Sequence, residues 1–256
     1  MTAATGHRAG PPPVKRGPEQ AAAAVQGNYR WVYLWHLPIR AMHWAAAASI
    51  VVLIVTGFYI GRPYFMVSGG TTGTPYLMGW MRFLHFVAAG VLVATGIVRI
   101  YWLFAGNRFE RWRALFPVKW KDWVNLGKTG RAYLFIRPQE KPEYLGHNPL
   151  QQLSYTMIYG ITLIMVVTGF AMYGQSDPGG FFHTWFGWVT GVFGGVQSTR
   201  LIHHLLTWVF ILFVPIHVYL ALRVDMLERT GTISSIISGG RFRPADVRYE
   251  DDLPPE

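Results

Sequence analysis

Nine histidines occur in the 256-residue chain, and four of them, His43, His85, His203 and His217, stand inside long apolar stretches. An imidazole can ligate a metal, move a proton near neutral pH, or hydrogen-bond to a neighbouring helix. Ionisable groups held in hydrocarbon are costly, and by default they point to function. What chemistry these four can do depends on which elements carry them and at what depth.

Those elements follow from composition. The chain is 51% hydrophobic, 16% aromatic and only 14% charged, against roughly 25% charged in an average soluble domain. The apolar residues gather into four blocks, near 41–60, 83–104, 153–173 and 201–222, each close to the roughly 17 to 25 residues that a bilayer demands. Strand spans would be near ten residues with alternating polarity, so helices are expected. The expected fold is an all-α, integral membrane four-helix bundle. Residues 1–30, with Pro11, Pro12, Pro13 and the run Ala21 to Ala24, lack a continuous apolar core and read as a disordered tail rather than a signal peptide. The membrane domain is then 31–240, with a second tail at 241–256.

Lys and Arg set the orientation. Five precede the first block, ten lie from Arg99 to Lys141 and five from Arg223 onward, against Arg62, Arg82 and Arg200 on the other side, a split of 20 to 3. Both termini and the middle segment are therefore expected in the cytoplasm, with 61–82 and 174–200 outside. The middle segment, carrying Trp112, Trp120 and Trp123, should form short interfacial helices. A formal net charge of +10 can mark nucleic-acid binding, but here the basic residues sit between apolar spans and not on a soluble face, which excludes it.

With that topology the four histidines sort by depth. His85 and His203 enter their spans from outside, whereas His43 and His217 lie near the inner surface. Along the last span, 14 residues advance about 21 Å and stop about 40° short of four turns, so His203 and His217 share a face. His204 lies about 140° from His217 by the same arithmetic and is the poorer candidate. Isolated interhelical hydrogen bonds would explain one or two such residues, but not matched depths and a shared face.

The absence of cysteine removes iron–sulfur clusters, thiolate-bound zinc and covalently attached haem. Two opposed histidine pairs, one above the other in a bundle, instead fit two stacked b-type haems, their irons ligated by His43, His85, His203 and His217. Ligation by two histidines leaves no open position, so the chemistry expected is one-electron transfer. Ala45 to Ala48, Gly57, Ala88, Ala89 and Gly90 would give room for macrocycles, although close helix packing needs the same residues. A short echo, Val55-Thr56-Gly57-Phe58 against Val167-Thr168-Gly169-Phe170, hints at a duplicated helix pair.

Other histidines read more plainly. His7 lies in the tail, His36 belongs with an aromatic belt of Trp31, Tyr33 and Trp35, and His183 falls in an aromatic outer segment that either lies in the headgroups or docks a partner. In Gly146-His147-Asn148-Pro149, Asn148 reads as a helix N-cap and Pro149 as the first helical residue. The same segment also offers polar groups beside the inner level.

Several motifs together resemble the b-type cytochrome subunit of membrane-bound nickel–iron uptake hydrogenases, which is related to the cytochrome b subunit of formate dehydrogenase. They are Arg40-Ala41-Met42-His43-Trp44, Thr56-Gly57-Phe58-Tyr59-Ile60-Gly61, Arg82-Phe83-Leu84-His85-Phe86, Arg99-Ile100-Tyr101-Trp102 with Gly106-Asn107-Arg108, Gly146-His147-Asn148-Pro149, and His217-Val218-Tyr219 with Ala221-Leu222-Arg223. The resemblance implies a multi-pass subunit of the bacterial cytoplasmic (inner) membrane that anchors the hydrogenase small and large subunits and passes their electrons to quinone. The complex would be a higher-order oligomer, and this subunit would hold no hydrogenase active site. The family's ligand pattern maps onto the same four histidines and places a quinone near His147 and Asn148. One departure is His203-His204, where some relatives carry a single histidine followed by Arg. A formate dehydrogenase partner is the alternative reading. A haem-free channel is disfavoured by the lack of Asp and Glu in the four blocks and of broken helices.

Overall fold

The computed structural model describes residues 29–63, 76–133, 142–244, 247 and 249–251. His7 and most of the expected N-terminal tail lie outside these. Four long helices dominate: α1 (Leu37–Gly61), α2 (Leu77–Ala105), α5 (Pro149–Gly174) and α8 (Val196–Glu228). Each contains its predicted block and extends it by a few residues at one or both ends. All four are long and apolar enough to cross a membrane. Only 6% of the most apolar stretch of α2 is buried within the protein, so the side chains a soluble protein would hide face outward here, which lipid tolerates and water does not. The chain is a multi-pass membrane protein. Helix α8, with 33 residues, is about 50 Å long, longer than the roughly 30 Å hydrocarbon layer, and its last turn carries Asp225 and Glu228.

The helices pack α1 on α2, α5 on α8 and α1 on α8. Buried positions in the spans are often hydroxyls, Ser49, Thr56, Thr168 and Thr199. This follows from a solvent as apolar as leucine, in which small polar residues drive helix contact. The expected short helices in the middle segment are α3 (Trp112–Leu115) and α4 (Trp120–Tyr133), and the aromatic segment around His183 forms α6 (Phe181–Phe186) and α7 (Trp188–Val192). Both short pairs pack on α5. A last short helix, α9 (Thr232–Ser238), packs against the end of α8.

One feature corrects the all-helical expectation. Tyr29–Tyr33 (β1) pairs antiparallel with Gly240–Pro244 (β2), Trp31 opposite Phe242. Residues 29–30 and 241–244, assigned to tails in the sequence, are thus ordered in a two-stranded sheet. Their pairing partner lies some 200 residues away, which local pattern cannot reveal.

Around this sheet lies a small core of Leu34, Leu145 and Tyr249, flanked by Val32, Trp35, Phe109 and Val247. Asp251 accepts hydrogen bonds from the Leu145 and Gly146 amides, each at 2.7 Å, and the buried Arg241 donates to the Tyr144 carbonyl at 2.6 Å. Segments before α1, after α2, before α5 and after α8 thereby form one collar at the end of the bundle where His43 lies.

Candidate functional site

His43 on α1 and His217 on α8 face each other with ring centres 6.4 Å apart and planes inclined by 50°. Trp44 stands edge-on to His43 at 5.2 Å, and Phe213, one turn before His217, stacks on it at 5.5 Å and 14°. The Nδ1 atom of His43 is buried without a hydrogen-bond partner among the described residues. An imidazole nitrogen sits about 2 Å from a first-row metal it ligates, so two rings sharing one ion have centres about 6 Å apart. The observed separation fits a shared iron, and two imidazoles suit haem iron as a donor set.

The second level is built differently. His85 on α2 meets α1, where the Thr56 hydroxyl lies 2.9 Å from its Nδ1. His203 on α8 meets α5, where the Thr168 hydroxyl lies 2.9 Å from its Nδ1. Beside each threonine is a glycine: a methyl group on Gly57 would stand 3.4 Å from the His85 Cε1, and one on Gly169 would stand 3.5 Å from the His203 Cε1. The echo in the sequence is therefore a repeated contact, one Thr-Gly pair per imidazole. His85 and His203 also lie within electrostatic reach of each other.

The two levels are equally spaced on two helices. Along α1, His43 and Thr56 are 13 residues apart, and along α8, His203 and His217 are 14 apart, about 20 Å in each case. The structure thus brings His43 to His217, and His85 and His203 to one level, as the depths require. His204 faces elsewhere, edge-on to Phe58 at 5.2 Å and beside Gly61.

His147 packs against Trp35 at 4.8 Å and Tyr155 at 4.9 Å. Burial and then the Arg99 guanidinium push its imidazole down to about 3, so it is neutral at physiological pH. Its Nδ1 and the Arg99 Nη1 are both buried without partners among the described residues. Asn148 forms a full capping box with Gln151, its side-chain oxygen accepting from the Gln151 amide at 2.9 Å.

Sequence reasoning missed one cluster. His36, read as interfacial, lies 2.9 Å from the Glu110 carboxylate through its Nδ1. Glu110, 1% exposed, also accepts from the His36 amide at 2.6 Å, the Trp102 indole at 2.9 Å and the Asn107 amide at 3.1 Å. Burial pushes its carboxyl up, but these bonds outweigh it and hold the group below the usual value. Glu110 so ties the start of α1 to the end of α2. The one available signal was an acidic residue, one of three, among the ten basic residues from Arg99 to Lys141. His183 sits in α6, apart from both levels, its Nδ1 accepting weakly from the Gly179 amide at 3.4 Å.

The family model for prokaryotic cytochrome b561 matches residues 34–239. A protein of Azotobacter chroococcum mcd 1 named "Probable Ni/Fe-hydrogenase B-type cytochrome subunit" is 42% identical over 226 residues, 87% of this chain and 91% of the relative. A protein of the same name from Bradyrhizobium diazoefficiens is 39% identical over 236 residues, 88% and 94% of the two chains. The hydrogenase 1 counterpart from Escherichia coli K12 is 34% identical over 216 residues, 82% and 90%. With four membrane-crossing helices, two levels of histidines and these relatives, the chain belongs to the prokaryotic cytochrome b561 family, in its group of Ni/Fe-hydrogenase B-type cytochrome subunits.

Proposed function

We propose that the chain is a dihaem b-type cytochrome that anchors a periplasm-facing nickel–iron hydrogenase in the bacterial cytoplasmic membrane and carries electrons from its small subunit to quinone. The observation that carries this reading is the facing pair His43 and His217 at 6.4 Å, with a second histidine level about 20 Å along both α1 and α8. The family is one of b-type cytochromes, so haem b is the resident group, and when bound it supplies reversible one-electron transfer. His43 and His217 hold one haem iron, His85 and His203 the other. Phe213 and Trp44 restrict rotation of the inner imidazoles, as Thr56 and Thr168 restrict the outer ones. Both termini and the collar face the cytoplasm, where the basic residues concentrate.

Quinone binds near the inner level, at His147 and Asn148. Support comes from polar groups that lack protein partners: Arg99 Nη1, a donor for a quinone carbonyl, and His147 Nδ1, which donates to a quinone carbonyl in one tautomer and accepts from a quinol hydroxyl in the other, are buried without partners among the described residues. The echo adds a second argument. His43 lies 13 residues before Thr56, and 13 before Thr168 is Tyr155; His217 lies 14 after His203, and 14 after His85 is Arg99. Arg99 and Tyr155 thus occupy the counterpart of the inner ligand pair on the opposite helices, beside His147.

The test is a haemochrome assay on the detergent-purified chain, followed by the His85→Ala variant in the assembled complex. We expect two haems b per chain, one after substitution, and loss of hydrogen-to-quinone turnover with hydrogen oxidation by soluble dyes retained. One haem in the unsubstituted chain overturns the paired ligation. Joint loss of both activities would mean that His85 acts in assembly and not in electron transfer.

A further inference from the structure

A buried threonine in a membrane helix has an easy solution to its own hydrogen bonding, donation to the carbonyl one turn earlier. Thr95, Thr156, Thr162, Thr199 and Thr207 all bond carbonyls of their own or the preceding turn in this way. Thr56 and Thr168 do the same, to Val52 and Ile164, each at 2.7 Å, yet each also touches an imidazole. That combination constrains the protons. A hydroxyl has one hydrogen, and the short bond to the carbonyl uses it, so toward the ring the oxygen can only accept. The imidazole must then carry its proton on Nδ1, which leaves the Nε2 lone pair as the ligating one.

Resting on the dihaem reading above, we propose that Thr56 and Thr168 are paired positioning residues that lock His85 and His203 as Nδ1–H tautomers and hold the outer haem at a lower potential than it would otherwise have. The physical reason is that an acceptor on the far nitrogen makes an imidazole a stronger donor to its metal. A stronger donor favours the ferric over the ferrous state. The chain through the hydroxyl to a helix carbonyl fixes the acceptor rigidly, because the threonine side chain is itself anchored at both ends. Gly57 and Gly169 complete each cradle by letting the ring edge approach the helix, within 3.4 and 3.5 Å of where a side chain would begin. The inner level has no such device on its α1 side, since the His43 Nδ1 is without a partner among the described residues. The two haems are therefore tuned by different means, the outer pair from α1 and α5, where His203 also has the Met165 carbonyl as an acceptor.

The test is equilibrium redox titration of the full chain in detergent, following the two haem components separately and measuring haem content in parallel. Thr56→Val and Thr168→Val keep the shape and remove the hydroxyl acceptor; His203 keeps the Met165 carbonyl, so Thr56→Val should give the larger shift. Each should move one component to higher potential and leave the other in place, and the double variant should move that same component further. A tenfold change in the ferric-to-ferrous preference reads as about 59 mV for one electron. Thr→Ser at each position restores the acceptor and should return the potential. With both haems retained, an unmoved potential in the Val variants overturns the proposal, as does movement of the component that His43→Ala deletes. Should the Val variants lose haem, the Ser variants decide: retention at the original potential supports the tautomer lock, and loss in them too overturns it in favour of a packing role. A chain that holds one haem before any substitution fails the dihaem reading itself, a result distinct from any of these.

Discussion

At the scale of single residues, the strongest polar commitment outside the two histidine levels is Glu110. Its carboxylate accepts from two backbone amides, an indole and an imidazole while almost wholly buried. Bonds to a charged group are worth about 1.5–3 kcal/mol apiece when the partner is lost, and a neutral amide retains some of them. Glu110→Gln should therefore destabilise the purified chain by about 2 kcal/mol, read as an earlier thermal transition. The pH sign follows from its lowered folded value. The stabilisation is fully present above the value in the unfolded chain and is lost as pH falls through the folded one. The unsubstituted protein should lose stability in acid, and Glu110→Gln should flatten that part of the profile. An unchanged profile would show that the carboxylate does not supply the tie between α1 and α2.

At the scale of elements, helix starts here carry two kinds of information. Asn148 is legible in sequence as an N-cap because Asn-Pro before an apolar run satisfies the first orphan amides of a helix, and the capping box bears this out. The role proposed for it toward quinone would use a different atom, the amide donor. The substitutions Asn148→Asp and Asn148→Ala separate the two. Asp keeps the accepting oxygen at the cap and removes the donor, so stability should hold while the apparent KM for quinone rises. Ala removes both and should additionally cost about 1 kcal/mol of stability. An unchanged KM in both variants would leave Asn148 as a cap alone. The four span helices were legible for a similar reason: apolar length against bilayer thickness is a property of composition, and needs no knowledge of partners. The strands β1 and β2 were not, since five-residue segments paired from Tyr29 with Pro244 to Tyr33 with Gly240 carry no local period that distinguishes them from a tail.

At the scale of the whole molecule, the collar decides how the helix ends are held. Gly239 is its hinge point: φ is +94°, its carbonyl accepts from the Leu34 and Trp35 amides, and a Cβ there would meet the Tyr33 ring and stand 2.9 Å from the Trp35 carbonyl. A side chain at such a φ costs about 1–2 kcal/mol even in open space. Gly239→Ala should therefore loosen the collar and speed limited proteolysis near β1 and β2, while leaving the distant contacts of His85 and His203 unchanged. Equal proteolysis rates would show that β1 and β2 do not depend on this turn.

Much of the architecture was written in one dimension. Four apolar blocks, a one-sided distribution of Lys and Arg, and a 14-residue interval between His203 and His217 are consequences of bilayer thickness, charge asymmetry and helical rise, each readable from the chain alone. Which helices face each other was not, because lipid drives no particular pairing and small residues pack equally well in several arrangements. Only the tertiary structure brought His43 to His217, gave the two Thr-Gly echoes the same task at His85 and His203, and buried Glu110 between α1 and α2. Helical rise alone had set His204 apart from His217, but its place against Phe58 depends on the rotation of α8 about its axis, which packing against α1 and α5 decides.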